Sequence, residues 1–135
     1  MSAIGLNCLA SLGYAQQVLG DIECSQMADR PVGLNPPGWL LMHLATAADY
    51  TSKMLGGKGV CPADWNERAD TKKPVSDNRA DYPSKDELVS NFLNSYRHAV
   101  ELFDQATPEQ LAAPQKLGFF EKELPTVADM AGFLL

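Results

Sequence analysis

Histidine, cysteine and clustered basic charge are all scarce in this chain, and each scarcity removes a class of chemistry. There are two histidines, His43 and His98, and three cysteines in 135 residues. No His-x-x-x-His or His-Glu-x-x-His pair occurs, the spacings that set two imidazoles on one helical face. Cys8, Cys24 and Cys61 are odd in number and form no Cys-x-x-Cys pair, which argues against a disulfide framework or a thiolate zinc knuckle. The net charge is -6 and no run of Lys or Arg exceeds Lys72-Lys73, so neither nucleic acid nor an anionic membrane is an expected partner. The uncharged stretch from Ser2 to Gly20 is preceded by no basic residue and is interrupted by Asn7, Gln16 and Gln17. It fits neither a signal peptide nor a membrane anchor, and a cytoplasmic location is the default expectation. A nucleophile elbow, a phosphate-binding loop and a dinucleotide fingerprint are also missing. The glycines of Gly56-Gly57-Lys58-Gly59 follow a helix and read as its C-cap.

With 45% hydrophobic and 21% charged residues the composition is that of a globular protein, and the length suits one domain, residues 1–135. Ile4, Cys8, Leu12, Ala15, Leu19 and Ile22 recur at helical spacing and predict a first helix over about residues 3–26. Gly5, Gly13 and Gly20 weaken it by roughly 1 kcal/mol each relative to alanine. After a Pro- and Gly-rich loop, a second helix is expected from Pro37 to Leu55, closed by Gly56-Gly57. Its Trp39, His43, Ala47, Tyr50 and Met54 form one stripe, with Leu40, Leu44, Ala48 and Leu55 alongside. Thr46, Asp49 and Lys53 fall opposite, so His43 is expected to point inward and Asp49 to pair with Lys53 at the surface. From Lys58 to Pro83 no period persists. This long loop reads as either a functional lid or a surface connection pinned by Trp65 and Tyr82. Ser84 with Glu87 opens a third helix that runs to about Gln105. Thr107 and Pro108 start a short helical turn, Gly118 to Glu123 carries no assignment, and Thr126 with Asp129 starts a fourth helix. The expected fold is an antiparallel all-α bundle.

Cys8 reads as a small buried hydrophobe, and Cys61 has no neighbour that would clearly depress its pKa. His98 lies off the apolar face of its helix and reads as a partly exposed surface residue. Spacing alone leaves His43 open between a hydrogen-bonded core histidine and a metal ligand.

The segment NPPGWLLMHLATAADYTSKMLGG, residues 35–57, resembles the second helix of DinB-like (DinB/YfiT) proteins. Their pattern is a proline-bearing loop, Trp, Gly-His-Leu-Ala and a closing Leu-Gly-Gly. A leucine-bearing first helix, CPADW at 61–65, YPSKDEL at 82–88 and PTVADMAGFLL at 125–135 follow in the order expected of that superfamily. The resemblance implies a four-helix bundle that binds a divalent metal (zinc, nickel or iron) on three histidines, one on the second helix and a pair on the fourth. His43 matches the first position. The residue before it, commonly Gly in the family, is Met42 here, a change that crowds the helix contact without removing the ligand. The resemblance also implies that the chain is truncated in or near the fourth helix, before the histidine pair.

On that reading the intact parent is a metal-dependent enzyme of thiol-dependent transferase or hydrolase type, taking a small thiol cofactor. The metal would act as a Lewis acid on a bound thiol or water. His43 would be a metal ligand, and Trp39 and Tyr50, one and two turns away, would line the pocket. A single imidazole holds zinc or nickel weakly, so these 135 residues are expected to bind no metal stoichiometrically by themselves. The apolar groove beside a shortened fourth helix favours a homodimer. The alternative is a non-catalytic helical binding or dimerisation module in which His43 is only a packed polar residue.

Overall fold

The computed structural model describes residues 1–135 and is all-α, with no strand beyond one isolated bridge between Pro114 and Thr126. The helices are α1 (Ala3–Gly20), α2 (Pro37–Met54), α3 (Trp65–Arg68), α4 (Lys85–Gln105), α5 (Pro108–Ala112) and α6 (Val127–Leu134). None is long and apolar enough to cross a membrane. Most boundaries follow from local chemistry. The Ser84 hydroxyl accepts the Glu87 N–H at the start of α4, and the Thr126 hydroxyl accepts the Asp129 N–H at the start of α6. Thr107 and Gln110 cap α5 reciprocally, with Pro108 in the first turn where its missing N–H costs nothing. Gly56 takes φ +82° just past α2, the left-handed step that ends a helix.

The first helix is shorter than its apolar period suggested. It stops at Gly20, and the chain continues into a 3₁₀ turn at Cys24–Ala28 that buries Met27 and Ala28 against the core. The periodicity persists through Ile22 because the same side of the chain stays apolar, while the backbone changes its hydrogen bonding.

α4 packs most extensively on α2 and also on α1. The main core joins Cys8 and Leu12 of α1, Leu41, Met42, Ala45 and Ala48 of α2, and Leu88, Phe92, Tyr96 and Ala99 of α4. A smaller cluster of Leu55, Phe103, Val127 and Ala131 seats α6 at the far end. Met130 and Ala131 are fully buried, and full burial of Val127 and Met130 contributes about 1.5–3 kcal/mol each, which is what holds so short a helix in place.

α2 is rotated relative to the expected arrangement. Its buried residues are Gly38, Trp39, Leu41, Met42, Ala45, Thr46, Ala48, Asp49, Thr51 and Ser52. Leu40 and Leu44 are 42% and 40% exposed, and His43, Ala47, Tyr50 and Met54 are only half-buried. The helix is apolar on almost every side, so period alone could not choose the inward face. Thr46 and Asp49, expected at the surface, are buried instead, at 8% and 5% exposure. The Thr46 hydroxyl donates back to the His43 and Met42 carbonyls, at 2.8 and 3.1 Å. Asp49 does not pair with Lys53, whose ammonium lies 5.7 Å from the Tyr50 ring centroid.

The Asp49 carboxylate instead clamps the long loop. It accepts the N–H groups of Val60 at 2.9 Å and Cys61 at 3.0 Å, and Gly59 passes so close that an added Cβ would meet Asp49 Oδ2 at 2.5 Å. Trp65 at 1% exposure and Tyr82 at 7% anchor the rest of the loop, as their positions suggested, and Tyr82 packs where Gly38 leaves no side chain. Arg79 adds a tie to the Cys24 carbonyl at 2.7 Å. Asp49→Ala leaves two loop N–H groups without an acceptor and is expected to destabilise the fold by about 2–3 kcal/mol, read as a lower urea midpoint. Gly59→Ala should destabilise by collision with the same carboxylate, and wild-type midpoints in both variants would show that the clamp is not needed.

Candidate functional site

The α3 turn lies across the half-exposed side of α2 and is tied to it by two polar contacts. The His43 Nδ1 is 3.1 Å from the Ala69 carbonyl oxygen, and the Tyr50 hydroxyl donates to Asn66 Oδ1 at 2.5 Å. A carbonyl oxygen can only accept, so Nδ1 carries the proton of the neutral imidazole and Nε2 carries the lone pair. The ring is also held flat against Trp39, with centroids 4.8 Å apart and an interplanar angle of 10°. Its orientation and its tautomer are therefore both set by neighbours, the arrangement that supports a ligating histidine in metal sites. Trp39 is buried at 4% exposure, and its indole N–H has no hydrogen-bond partner.

The two residues expected to line a pocket with His43 fall into separate cavities. Trp39 forms part of a cavity of about 320 Å³ together with Met42, Arg68, Lys73 and Tyr82. Tyr50 forms part of one of about 200 Å³ together with Asp49, Cys61 and Asn66. Neither counts His43 in its wall; His43 sits on α2 between the Trp39 end and the Tyr50 end. His98 is half-exposed on α4, as its position off the apolar face suggested.

The donor set can be tested against a divalent metal. No group of three or more His, Cys, Asp or Glu side chains comes together in a way that could hold one. Asp49, the acidic residue nearest His43 along α2, already uses both carboxylate oxygens on Val60 and Cys61. These residues offer one prepared imidazole, and a single donor does not fit a metal carried on three protein ligands.

Sequence reading overlooked Asp49 as the organiser of this region. The available signal was a carboxylate in a helix followed by a Gly-Gly-Lys-Gly turn, which lets the chain double back close enough for backbone N–H groups to reach it. Cys61, placed by that clamp, is half-buried. Burial, and then the Asp49 carboxylate, push its thiol up to about 12, and Cys8 is also raised by burial. Because the thiolate is the nucleophile, Cys61 stays protonated and unreactive through the neutral range.

Two measurements check this geometry. At pH 8 iodoacetamide should alkylate the exposed Cys24 much faster than Cys61, whose thiol is raised by burial and by Asp49; equal labelling of the two thiols would contradict the burial of Cys61. Ring nitrogen NMR should find neutral His43 protonated at Nδ1, and a dominant Nε2–H form would contradict the Ala69 contact. Searches of curated proteins and of solved structures give no significant match. The family model described as the DinB superfamily matches residues 11–135, so the chain belongs to the DinB superfamily.

Proposed function

We propose that this chain carries one ligand position of a metal-dependent enzyme of transferase or hydrolase type, in which His43 binds a divalent ion such as zinc, nickel or iron. The observation that carries the reading is the imidazole itself, with Nδ1 on the Ala69 carbonyl, its face on Trp39, and Nε2 left as a lone-pair donor. Membership of the DinB superfamily supports it. In this proposal α1, α2, α4 and α6 are the members of an antiparallel four-helix bundle within a single domain. The other metal ligands come from outside these 135 residues, since the donors inside them do not suffice. Trp39 and Tyr50 would shape the approach to the site from the two cavities beside α2, and a small thiol is the proposed cosubstrate. A cytoplasmic setting is part of the same proposal.

The competing reading, a non-catalytic binding or dimerisation module, draws support from a different observation: α2 presents the apolar Leu40 and Leu44 to solvent. Metal analysis of the protein expressed from the whole open reading frame separates the two. The enzyme reading expects one divalent ion per chain, lost on His43→Ala with the helical circular dichroism retained. Metal that survives the substitution, or its absence from the wild type, favours the module.

A further inference from the structure

α1 presents to water a face that packing within the chain does not explain. No residue from Ser2 to Gly20 is charged, so the whole of the net charge of -6 comes from Asp21 onward. Gly5, Cys8, Leu12 and Leu19 turn inward. On the opposite side Leu6 and Tyr14 stand 61% and 71% exposed, with the exposed Ala10 midway between them, one turn from each. Gly13 is exposed beside them. Its φ is not positive, and an added Cβ would meet nothing within 4 Å, whereas one at Gly5 would press on Val100 at 3.0 Å and Asp104 at 3.1 Å. Glycine weakens a helix interior relative to alanine, and nothing inside one chain calls for it at this position. The other exposed aromatic surface is different in kind: Phe119, Phe120 and Phe133 already pack ring to ring, and the first two share a turn with Glu121, Lys122 and Glu123.

We propose that the outer face of α1 is an interface between two copies of this chain, crossed antiparallel at Ala10 about a two-fold axis. In such a contact a residue before the axis meets one equally far beyond it in the other copy. Leu6 of each copy therefore packs on the Tyr14 ring of the other, and Ala10 meets itself. The short side chains at Ala10 and Gly13 let the two helices approach closely, which is the use that one chain alone does not give to Gly13. Charge selects the same face. Two chains of -6 repel each other, and least where 18 consecutive helical residues are neutral. The antiparallel crossing also turns the positive N-terminal end of each helix toward Asp21 of the other copy. A single pair of helices about 27 Å long lies at the low end of specific interfaces, under about 1,200 Å² in total, so the contact dissociates on dilution. The inference is independent of the reading of His43.

Sedimentation velocity of the 135-residue chain from micromolar to millimolar concentration tests the contact. Monomer should give way to dimer as concentration rises. Leu6→Glu and Tyr14→Glu should each weaken association at least about tenfold, with circular dichroism confirming intact helices, while Leu44→Glu on α2 leaves it unchanged. The crossing point has its own readout. In a Cys24→Ser background, which removes the exposed native thiol, Ala10→Cys should oxidise to a disulfide-linked dimer, because only a residue at the axis comes within bonding reach of its own copy. Gln17→Cys, two turns from the axis, should stay unlinked. Monomer at every concentration overturns the interface, and co-sedimentation of that monomer with phosphatidylcholine vesicles would assign the face to lipid instead. A dimer indifferent to Leu6→Glu and Tyr14→Glu, or one lost with Leu44→Glu, overturns the choice of α1. Linkage through Gln17→Cys in preference to Ala10→Cys overturns the crossing at Ala10.

Discussion

Everything in this structure is arranged around the need to cover α2. From Pro37 to Ala48 the helix has no charge, and apolar groups occur on every side of it, so water is an unfavourable neighbour all round. α4 takes one side and supplies Leu88, Phe92, Tyr96 and Ala99 to the core. The 59–82 segment takes another, with Trp65 and Tyr82 as its anchors. α6 takes the end near Leu55. The stripe through Leu40, His43 and Leu44 keeps the most contact with solvent.

Several polar groups of this helix find partners in the loop or in the helix itself, while the buried Trp39 indole N–H and Thr51 hydroxyl have none. Asp49 holds Val60 and Cys61, His43 holds Ala69, Tyr50 holds Asn66 through its side chain, and Thr46 folds back on its own helix. A buried carboxylate is tolerated because two N–H groups replace its water, so the loop that supplies them is fixed as a consequence. That fixed loop in turn orients the His43 ring and chooses its tautomer. Asp49 thus bears on the candidate ligand through the loop it holds, and the same clamp places Cys61 where its thiol is kept protonated.

Much of this was legible in the order of residues. Ser84, Thr107 and Thr126 mark helix starts because a hydroxyl at that position can accept a free N–H, a purely local event. Gly56 marks the end of α2 for an equally local reason, its positive φ. Tyr82 and Trp65 stood out in a polar stretch, and large aromatics there must bury somewhere. The candidate site was legible only in part: His43 was singled out and Trp39 was placed on its stripe, yet the Ala69 contact was not foreseen. Ala69 is 26 residues away, and its role belongs to a carbonyl group that every residue possesses.

The sequence by itself determined α2, α4, α5 and the start of α6, the caps of the last three, the family and the one histidine among apolar neighbours, because each depends on side chains within a few turns of one another; the end of α1 and the α3 turn inside the long loop were not legible in it. Only the tertiary structure decided which face of α2 is inward, that Asp49 is a buried clamp and no surface ion pair, and which nitrogen of His43 is free. The physical reason is the same in each case. A helix that is apolar all round has no strong directional preference of its own, and its orientation is set by whichever neighbours satisfy its few polar groups while excluding water from the largest area.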